Sequence, residues 1–276
     1  MEVVETLEEL HIARGGLVDP VGLVPTMGFL HAGHLSLIRR ARQECNSVIV
    51  SIYVNPAQFG PAEDLSTYPR DLQRDQELLR AEGVDLLWTP SDKVMYPPGY
   101  QTWVMVEDIT KVLEGALRQG HFRGVATVVA KLFNAVQPQK AYFGQKDAQQ
   151  AVVIRRMAND LNFPIDIEVC PIVRESDGLA MSSRNVYLNP VERRAALALS
   201  RGLFNATKRF EAGERDASHL REVVLKTLAA EPLAKVQYVS CANPENLQEL
   251  DGRVDQALIS VAVFIGKTRL IDNVLV

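Results

Sequence analysis

The spacing of apolar positions changes period repeatedly along the chain, and those changes predict its elements. Leu23 and Val24 belong to an apolar run that breaks at Pro25, crosses a turn at Gly28 and enters an amphipathic segment at His31-Ala32-Gly33-His34-Leu35. The pattern reads as strand, turn, helix start. Leu35, Ile38 and Ala41 then fall at helical spacing among Arg39, Arg40 and Arg42, giving one packed face and one wet face. Val48-Ile49-Val50-Ser51-Ile52-Tyr53-Val54 is a continuous β-branched and aromatic run, as expected of a parallel strand covered on both faces. Asn55-Pro56-Ala57-Gln58-Phe59-Gly60-Pro61 ends it, because proline donates no ladder hydrogen bond and restricts the residue before it. A charged helix over 72–82 and a strand over 84–88 follow.

The same alternation extends in both directions. Residues 7–13 read as a helix closed by Gly15-Gly16. Val125, Val128, Val129, Leu132, Phe133 and Val136 mark one buried helical face, introduced by His121-Phe122-Arg123-Gly124. Ala141-Tyr142-Phe143-Gly144 is a short strand that Gln145-Lys146-Asp147 turns into the next helix, repeating the strand-glycine-helix corner. A strand over 165–173 precedes a polar loop over 174–185, and Tyr96-Pro97-Pro98-Gly99-Tyr100 reads as a connector with no assigned role. Asn189-Pro190-Val191-Glu192 is an N-cap followed by proline at the first helical position, and opens a helix expected to run unbroken to about residue 210. A helix over 217–228 and strands over 236–240, 257–264 and 269–276 complete the chain. The expected fold is α/β: a Rossmann-like doubly wound parallel sheet over 1–175, with a smaller C-terminal α+β domain over 176–276 that carries the loop from Met181 to Asn185 at its start.

Composition narrows the function classes. The 276 residues are 47% hydrophobic and 23% charged, ordinary for a globular chain with a real core. A net charge of -4 without a basic block argues against a nucleic-acid or membrane surface as the main partner, and favours small molecules. Met1-Glu2-Val3-Val4-Glu5 lacks the features of a signal peptide, and no stretch reaches the roughly 18 apolar residues of a membrane span, so a cytoplasmic location is expected. Cys45, Cys170 and Cys241 are far apart, without zinc or redox spacing, and read as reduced buried thiols.

The polar residues at the strand ends carry the chemistry. Backbone N–H groups at a helix N-terminus, reached through the turn before His34, offer a place for a phosphate. For either His31 or His34 alone, a packed core histidine or a solvated turn residue is the ordinary alternative. Lys146 at the second corner can pair with a phosphate, and Asp147 suits a helix start. Ser182, Ser183 and Arg184 can wrap an anion, although a polar interdomain loop would look the same. Asn55 and Gln58 stand at a strand's C-terminal end, the edge at which open α/β sheets bind ligands. Gly266-Lys267-Thr268 is read as a hairpin turn, because Val261 stands where a P-loop needs glycine. Together these residues describe an ATP-type nucleotide site at the C-terminal edge of a parallel sheet.

His31-Ala32-Gly33-His34 also resembles the HIGH motif of the nucleotidylyltransferase superfamily, and Met181-Ser182-Ser183-Arg184-Asn185 its KMSKS-related loop, with Ala32 in place of isoleucine. With Pro25-Thr26-Met27-Gly28, Val54-Asn55-Pro56-Ala57-Gln58-Phe59, His121-Phe122-Arg123-Gly124-Val125, Phe143-Gly144-Gln145-Lys146-Asp147 and Asp177-Gly178-Leu179-Ala180 before the loop, the chain resembles the pantoate–β-alanine ligase family. The resemblance implies that pantoate attacks ATP to give pantoyl adenylate and pyrophosphate, and that β-alanine then displaces AMP.

It further implies that His34, and secondarily His31, hydrogen-bond the phosphates, with His34 the proton donor to the departing group. Lys146, Ser182, Ser183 and Arg184 would hold the triphosphate, and Met27, Gly28, Gly33, Gly144, Gln145, Asp147, Val173 and Met181 would line the nucleotide. Pro25, Thr26, Met27, Gln58 and Gln150 would bind pantoate, and Asn55 with Gln58 would bind β-alanine. Mg2+ would accompany ATP, with Asp75 the one acidic residue considered as a protein ligand, and the chain would form a homodimer. A nucleotidylyltransferase that stops after transferring AMP or CMP to a phosphate ester is the alternative enzyme, and an ATP-sensing scaffold the non-enzymatic one.

Overall fold

The computed structural model describes every residue except Ala62. The first part of the chain runs β1 (Glu2–Val4), α1 (Leu7–Gly15), β2 (Val21–Thr26), α2 (Ala32–Glu44), β3 (Ser47–Ile52), α3 (Leu72–Ala81), β4 (Leu86–Trp88), α4 (Asp92–Met95), α5 (Leu113–Leu117), α6 (His121–Val136), β5 (Lys140–Gly144), α7 (Ala148–Asp160) and β6 (Asp166–Cys170). The second part runs α8 (Pro190–Ala195), α9 (Leu197–Glu211), α10 (Ala217–Ala229), β7 (Ala234–Ala242), β8 (Leu258–Ile265) and β9 (Thr268–Leu275).

The first six strands form one parallel sheet in the order β1-β4-β3-β2-β5-β6. Successive side chains of a strand point to opposite faces, and here both faces are covered. Leu23, Ile49, Leu86 and Phe143 pack with α6 and α7, whereas Val24, Val48, Val50 and Leu87 pack with α2 and α3. This is the doubly wound α/β arrangement expected from the unbroken apolar runs. The remaining strands form an antiparallel β7-β8-β9 sheet with a separate apolar core shared with α9 and α10.

The site's position follows from the topology. From β2 the chain moves outward on one side through β3 and β4, then crosses to β5 and β6 on the other, so the strand order reverses between β2 and β5. That reversal is where open α/β sheets leave a crevice at the strands' C-terminal ends. The β2–β5 ladder pairs Gly22 with Lys140 and Leu23 with Ala141 and goes no further, whereas β2 stays paired with β3 to Thr26 and β5 with β6 to Gly144. The two strands therefore part as they approach the edge. Pro25, which donates no ladder hydrogen bond, lies within β2 beyond the last pair with β5. The strand thus continues through the proline that the sequence pattern reads as its end.

The second sheet is fastened to the β5 corner. Asn273 of β9 donates through Nδ2 to the carbonyls of Gln145 at 2.9 Å and Lys146 at 3.0 Å. Arg174, just after β6, makes a bidentate pair with Asp272 at 2.7 and 3.0 Å. Arg269 makes another with Glu114 of α5, at 2.6 and 2.7 Å.

Several boundaries differ from the sequence expectation. The helix opened by Asn189 is divided at Ala196, where Leu199 N–H bonds to Ala196 O, three residues back, at 3.2 Å, a tighter turn than the α-helical step. The strand expected over 165–173 is confined to β6, and β1 is a short edge strand with no apolar run to announce it. Gly266-Lys267 is the hairpin turn between β8 and β9, and all three cysteines are free and buried.

Gly124 in the first turn of α6 fixes how closely that helix approaches the turn over 56–58. A Cβ there would lie 2.3 Å from Ala57 O and 2.7 Å from Gln58 N, both backbone atoms that cannot rotate away. Gly124→Ala should destabilise the protein by about 1–3 kcal/mol or more in denaturant unfolding. Gly15→Ala, at a position with nothing within 4 Å of the added carbon, should be neutral or slightly stabilising. Equal effects would remove the close approach as the cause.

Candidate active site

The turn after β2 is held by a carboxylate from another element. Gly28 and Phe29 both have positive φ, 80° and 49°, which carries the chain sharply from strand to helix. Asp75 of α3 is buried, and its two oxygens accept Phe29 N–H and Leu30 N–H, each at 2.7 Å. Burial raises the Asp75 pKa, and these two N–H bonds oppose the rise. Asp75 is the acidic residue considered above as a magnesium ligand; with both oxygens engaged by backbone, its work here is to hold the turn.

The histidines cap α2 themselves. His31 Nδ1 accepts Gly33 N–H at 3.1 Å, and His34 Nδ1 accepts His31 N–H at 3.3 Å, a reciprocal capping box. Two of the backbone donors expected to face a phosphate are therefore taken by imidazoles. An imidazole that accepts at Nδ1 carries its proton at Nε2, so each ring presents one N–H donor. The rings lie 4.0 Å apart between centroids. Burial lowers the His31 pKa to about 4, assisted by the Lys146 charge, and lowers that of His34 to about 3, assisted by His31. At neutral pH the free protein thus offers neutral hydrogen-bond donors. An imidazolium at His34 that hands a proton to the departing group, as the resemblance implies, is not the resting state.

A cavity of about 230 Å³ opens at the β2–β5 crevice. Pro25, Thr26, Met27, His31, Gly33 and His34 line it from the first corner, and Gly144, Lys146, Asp147 and Gln150 from the second. Val173, Met181, Ser182, Ser183 and Arg184 close it from the loop after β6, and Asn55 and Gln58 from the end of β3. A larger cleft of about 900 Å³ adjoins it and shares Arg118, Lys146, Asp147, Ser182 and Arg184. Gly144 has nothing within 4 Å of a built Cβ, so the backbone there is bare toward a ligand. Ser183 Oγ donates to Phe29 O at 3.4 Å, bringing the loop onto the first turn.

Two expected nucleotide residues are turned elsewhere. Gly28 faces Ile52 and Asp75, and the Gln145 side chain reaches Asn273 at 3.1 Å. Neither lines the cavity. Asn55 lines it but is saturated: its Nδ2 donates to Gln58 Oε1 and Gly124 O, and its Oδ1 accepts from Ala57 N–H and from the Tyr96 hydroxyl. At 1% exposure it holds Gln58 in place at the cavity wall. Tyr96, given no role as part of a connector, is one of its supports.

His121, Arg118, Glu63 and Asp64 have no site role in the sequence reading. Arg118 Nη1 donates to His121 Nε2 at 3.0 Å, so the ring's proton sits on Nδ1 and is donated to Gln58 O at 2.8 Å. Burial, with the Arg118 charge, lowers the His121 pKa to about 4. Only the His121-Phe122-Arg123-Gly124 motif hints at this group; the others contact the site across long sequence separations.

The protonation pattern is testable. Nitrogen-detected NMR of the free protein should find neutral rings down to about pH 5, with the proton on Nε2 in His31 and His34 and on Nδ1 in His121. All three folded pKa values lie below the ordinary 6.5, so the unfolded chain takes up these protons first as pH falls. Stability should therefore decline between about pH 6.5 and pH 4, by up to about 1.4 kcal/mol per pH unit for each ring. A charged imidazole at pH 6 in any of the three would contradict this.

Comparison with known proteins gives the site its context. Residues 2–275 match the family described as Pantoate-beta-alanine ligase. The pantothenate synthetase of Roseiflexus castenholzii is 61% identical over 273 residues, 99% of this chain and 98% of that protein. The crystal structure of pantothenate synthetase from Thermus thermophilus superposes with a TM-score of 0.95 at 48% identity, covering 99% of each chain. That of the Francisella tularensis pantoate-beta-alanine ligase, complexed with beta-gamma ATP and beta-alanine, gives 0.82 at 37% identity, covering 100% of this chain and 97% of that one. With the match running through both sheets and every segment of the cavity wall, this chain belongs to the pantoate–β-alanine ligase family.

Proposed function

We propose that this protein joins pantoate to β-alanine at the expense of ATP, forming pantothenate, AMP and pyrophosphate. The observation that carries the reading is one crevice in which neutral donors, a lysine and an arginine converge beside a separate amide-lined end. In the first step a pantoate carboxylate oxygen attacks the α-phosphorus of MgATP, and the bond to the bridging oxygen breaks to release pyrophosphate. In the second, the β-alanine amine attacks the acyl carbon of pantoyl adenylate, the bond to AMP breaks and the amine loses a proton. His31 and His34 Nε2–H, Lys146, Ser182, Ser183 and Arg184 stabilise the charge that develops on the phosphates, and Gly33, Gly144, Asp147, Val173 and Met181 enclose the nucleotide. Gln58 and Gln150, with Pro25 to Met27, bind pantoate, and β-alanine enters beside Gln58. A phosphate-ester acceptor, as in the alternative nucleotidylyltransferase, would call for a second free basic group where Gln58, Gln150 and buried Asn55 stand, and the one arginine at that end, Arg118, is engaged by Glu63 and His121.

Magnesium fits as part of the nucleotide substrate: among the described residues, no group of three or more His, Cys, Asp or Glu side chains could hold an ion. We further infer a homodimer, a cytoplasmic location and two domains, 1–175 and 176–276. Separate sheets and cores support the domain division, and among the described residues no helix is long and apolar enough to cross a membrane.

Two measurements test the reading. With MgATP alone the purified protein should release no pyrophosphate; pantoate should trigger its release, and added β-alanine should yield AMP and pantothenate. Transfer of AMP or CMP to a phosphate ester, or no turnover, would overturn the assignment. His34→Ala should slow pyrophosphate release by about 10²–10³-fold. Because it removes one acceptor from a helix cap, its stability loss should be only about 1 kcal/mol. Retained chemistry with a large stability loss would make His34 a packing residue.

A further inference from the structure

The connection between β3 and α3 carries two consecutive carboxylates, Glu63 and Asp64, that grip two different arginines. Glu63 accepts Arg118 Nε and Nη2, both at 2.7 Å, and Asp64 accepts Arg184 Nε at 2.9 Å and Nη2 at 2.8 Å. All four side chains are at most 30% exposed, so these are bidentate, partly desolvated pairs rather than solvent-facing ones. In both, burial works against ionisation and the facing guanidinium outweighs it, holding each carboxyl below its usual range.

Both arginines line the 230 Å³ cavity and the adjoining cleft, and they differ in what stands beside the free edge of each. Each is held by its Nε/Nη2 edge, which leaves Nη1 for other work. Arg118 Nη1 donates to His121, and His121 donates to the carbonyl of Gln58, whose side chain is placed beside Met27 with 3.2 Å between Nε2 and Sδ. Arg184 lies on the loop with Ser182 and Ser183, which share the cavity wall with Lys146. A guanidinium on a flexible stem has many rotamers, and a carboxylate locked on one edge fixes the direction of the other.

We propose that Glu63 and Asp64 are positioning residues that set the two subsites separately: Asp64 aims Arg184 at the nucleotide phosphates, and Glu63, through Arg118 and His121, sets Gln58 for the pantoate carboxylate and hydroxyls. The proposal rests on the substrate assignment above. It contrasts with a purely structural role, in which the same pairs would merely fasten the connection to its surroundings and disturb both subsites alike.

The test is a double dissociation. Asp64→Asn should weaken binding of a non-hydrolysable ATP analogue, measured by calorimetry, by about tenfold, while changing the pantoate KM by less than about twofold. Glu63→Gln should raise the pantoate KM by about tenfold and leave analogue affinity within about twofold. Asp64→Glu, which keeps the charge, should recover part of the analogue affinity. If both variants move both constants by similar factors, or if neither moves its own, the proposal fails. Wild-type pyrophosphate release on adding pantoate tests the substrate assignment by itself, and analogue binding to Asp64→Asn decides the nucleotide arm whatever the second substrate is.

Discussion

A buried carboxylate that receives two backbone N–H bonds underlies the whole site. Asp75 grips Phe29 and Leu30 just where Gly28 and Phe29 leave the ordinary backbone regions, and so fixes the angle at which β2 hands over to α2. Removing it would leave two N–H donors of the turn without their partner, at up to about 1–3 kcal/mol each. From that turn the rest follows in order. His31 arrives at the cap, its Nδ1 accepts Gly33 N–H, and His34 accepts His31 N–H in return. The helix end thereby passes its donor capacity to two imidazole Nε2–H groups, which reach farther from the backbone than an amide could.

The second constraint is the early end of the β2–β5 ladder. Strands paired to their tips would leave no room between the corners at His31 and Lys146. Because pairing stops at Leu23 and Ala141, side chains and ligand can occupy the wedge that the parting strands create. Such a wedge needs an outside support, and the C-terminal sheet supplies it. Asn273 satisfies the carbonyls of Gln145 and Lys146, while Arg174–Asp272 and Arg269–Glu114 tie β9 to the first sheet's surroundings. The lysine corner is thus as firmly set as the histidine corner, by residues far away in sequence.

What is legible in the sequence depends on the range of the interaction. Unbroken apolar runs at Val48–Val54 and helical spacing from Val125 to Val136 are local consequences of burial on both faces or on one, and the elements lie where those patterns put them. The histidine pair, the lysine corner and the Ser182-Ser183-Arg184 loop are legible as chemistry because each sits at a predicted element end, and the structure brings all three to one cavity. Asp75 misleads because a carboxylate at a ligand-bearing edge looks the same whether it faces a ligand or an orphaned N–H. The N–H groups that decide Asp75 lie on a turn some 45 residues away. Gln145 misleads for a related reason: its partner Asn273 belongs to a sheet whose docking leaves no local pattern. The division at Ala196 rests on one tightened turn within an Ala/Leu-rich helix, to which spacing is blind.

The protonation states bear on how such a site would accelerate adenylate formation. The proposed reaction brings an anionic carboxylate to the α-phosphorus of an anionic triphosphate, and negative charge then builds on the departing pyrophosphate. Two imidazolium groups would bind ATP strongly before reaction as well as during it, and binding that is equal in both states lowers KM without raising kcat. A neutral N–H contributes less to the ground state and gains as charge accumulates on its acceptor. In the proposed reaction, burial of His31 and His34 beside Lys146 would therefore do more than fill a corner: it would leave the positive charge to the lysine and arginine proposed to hold the phosphates, and the imidazoles to respond to the charge that the reaction itself develops.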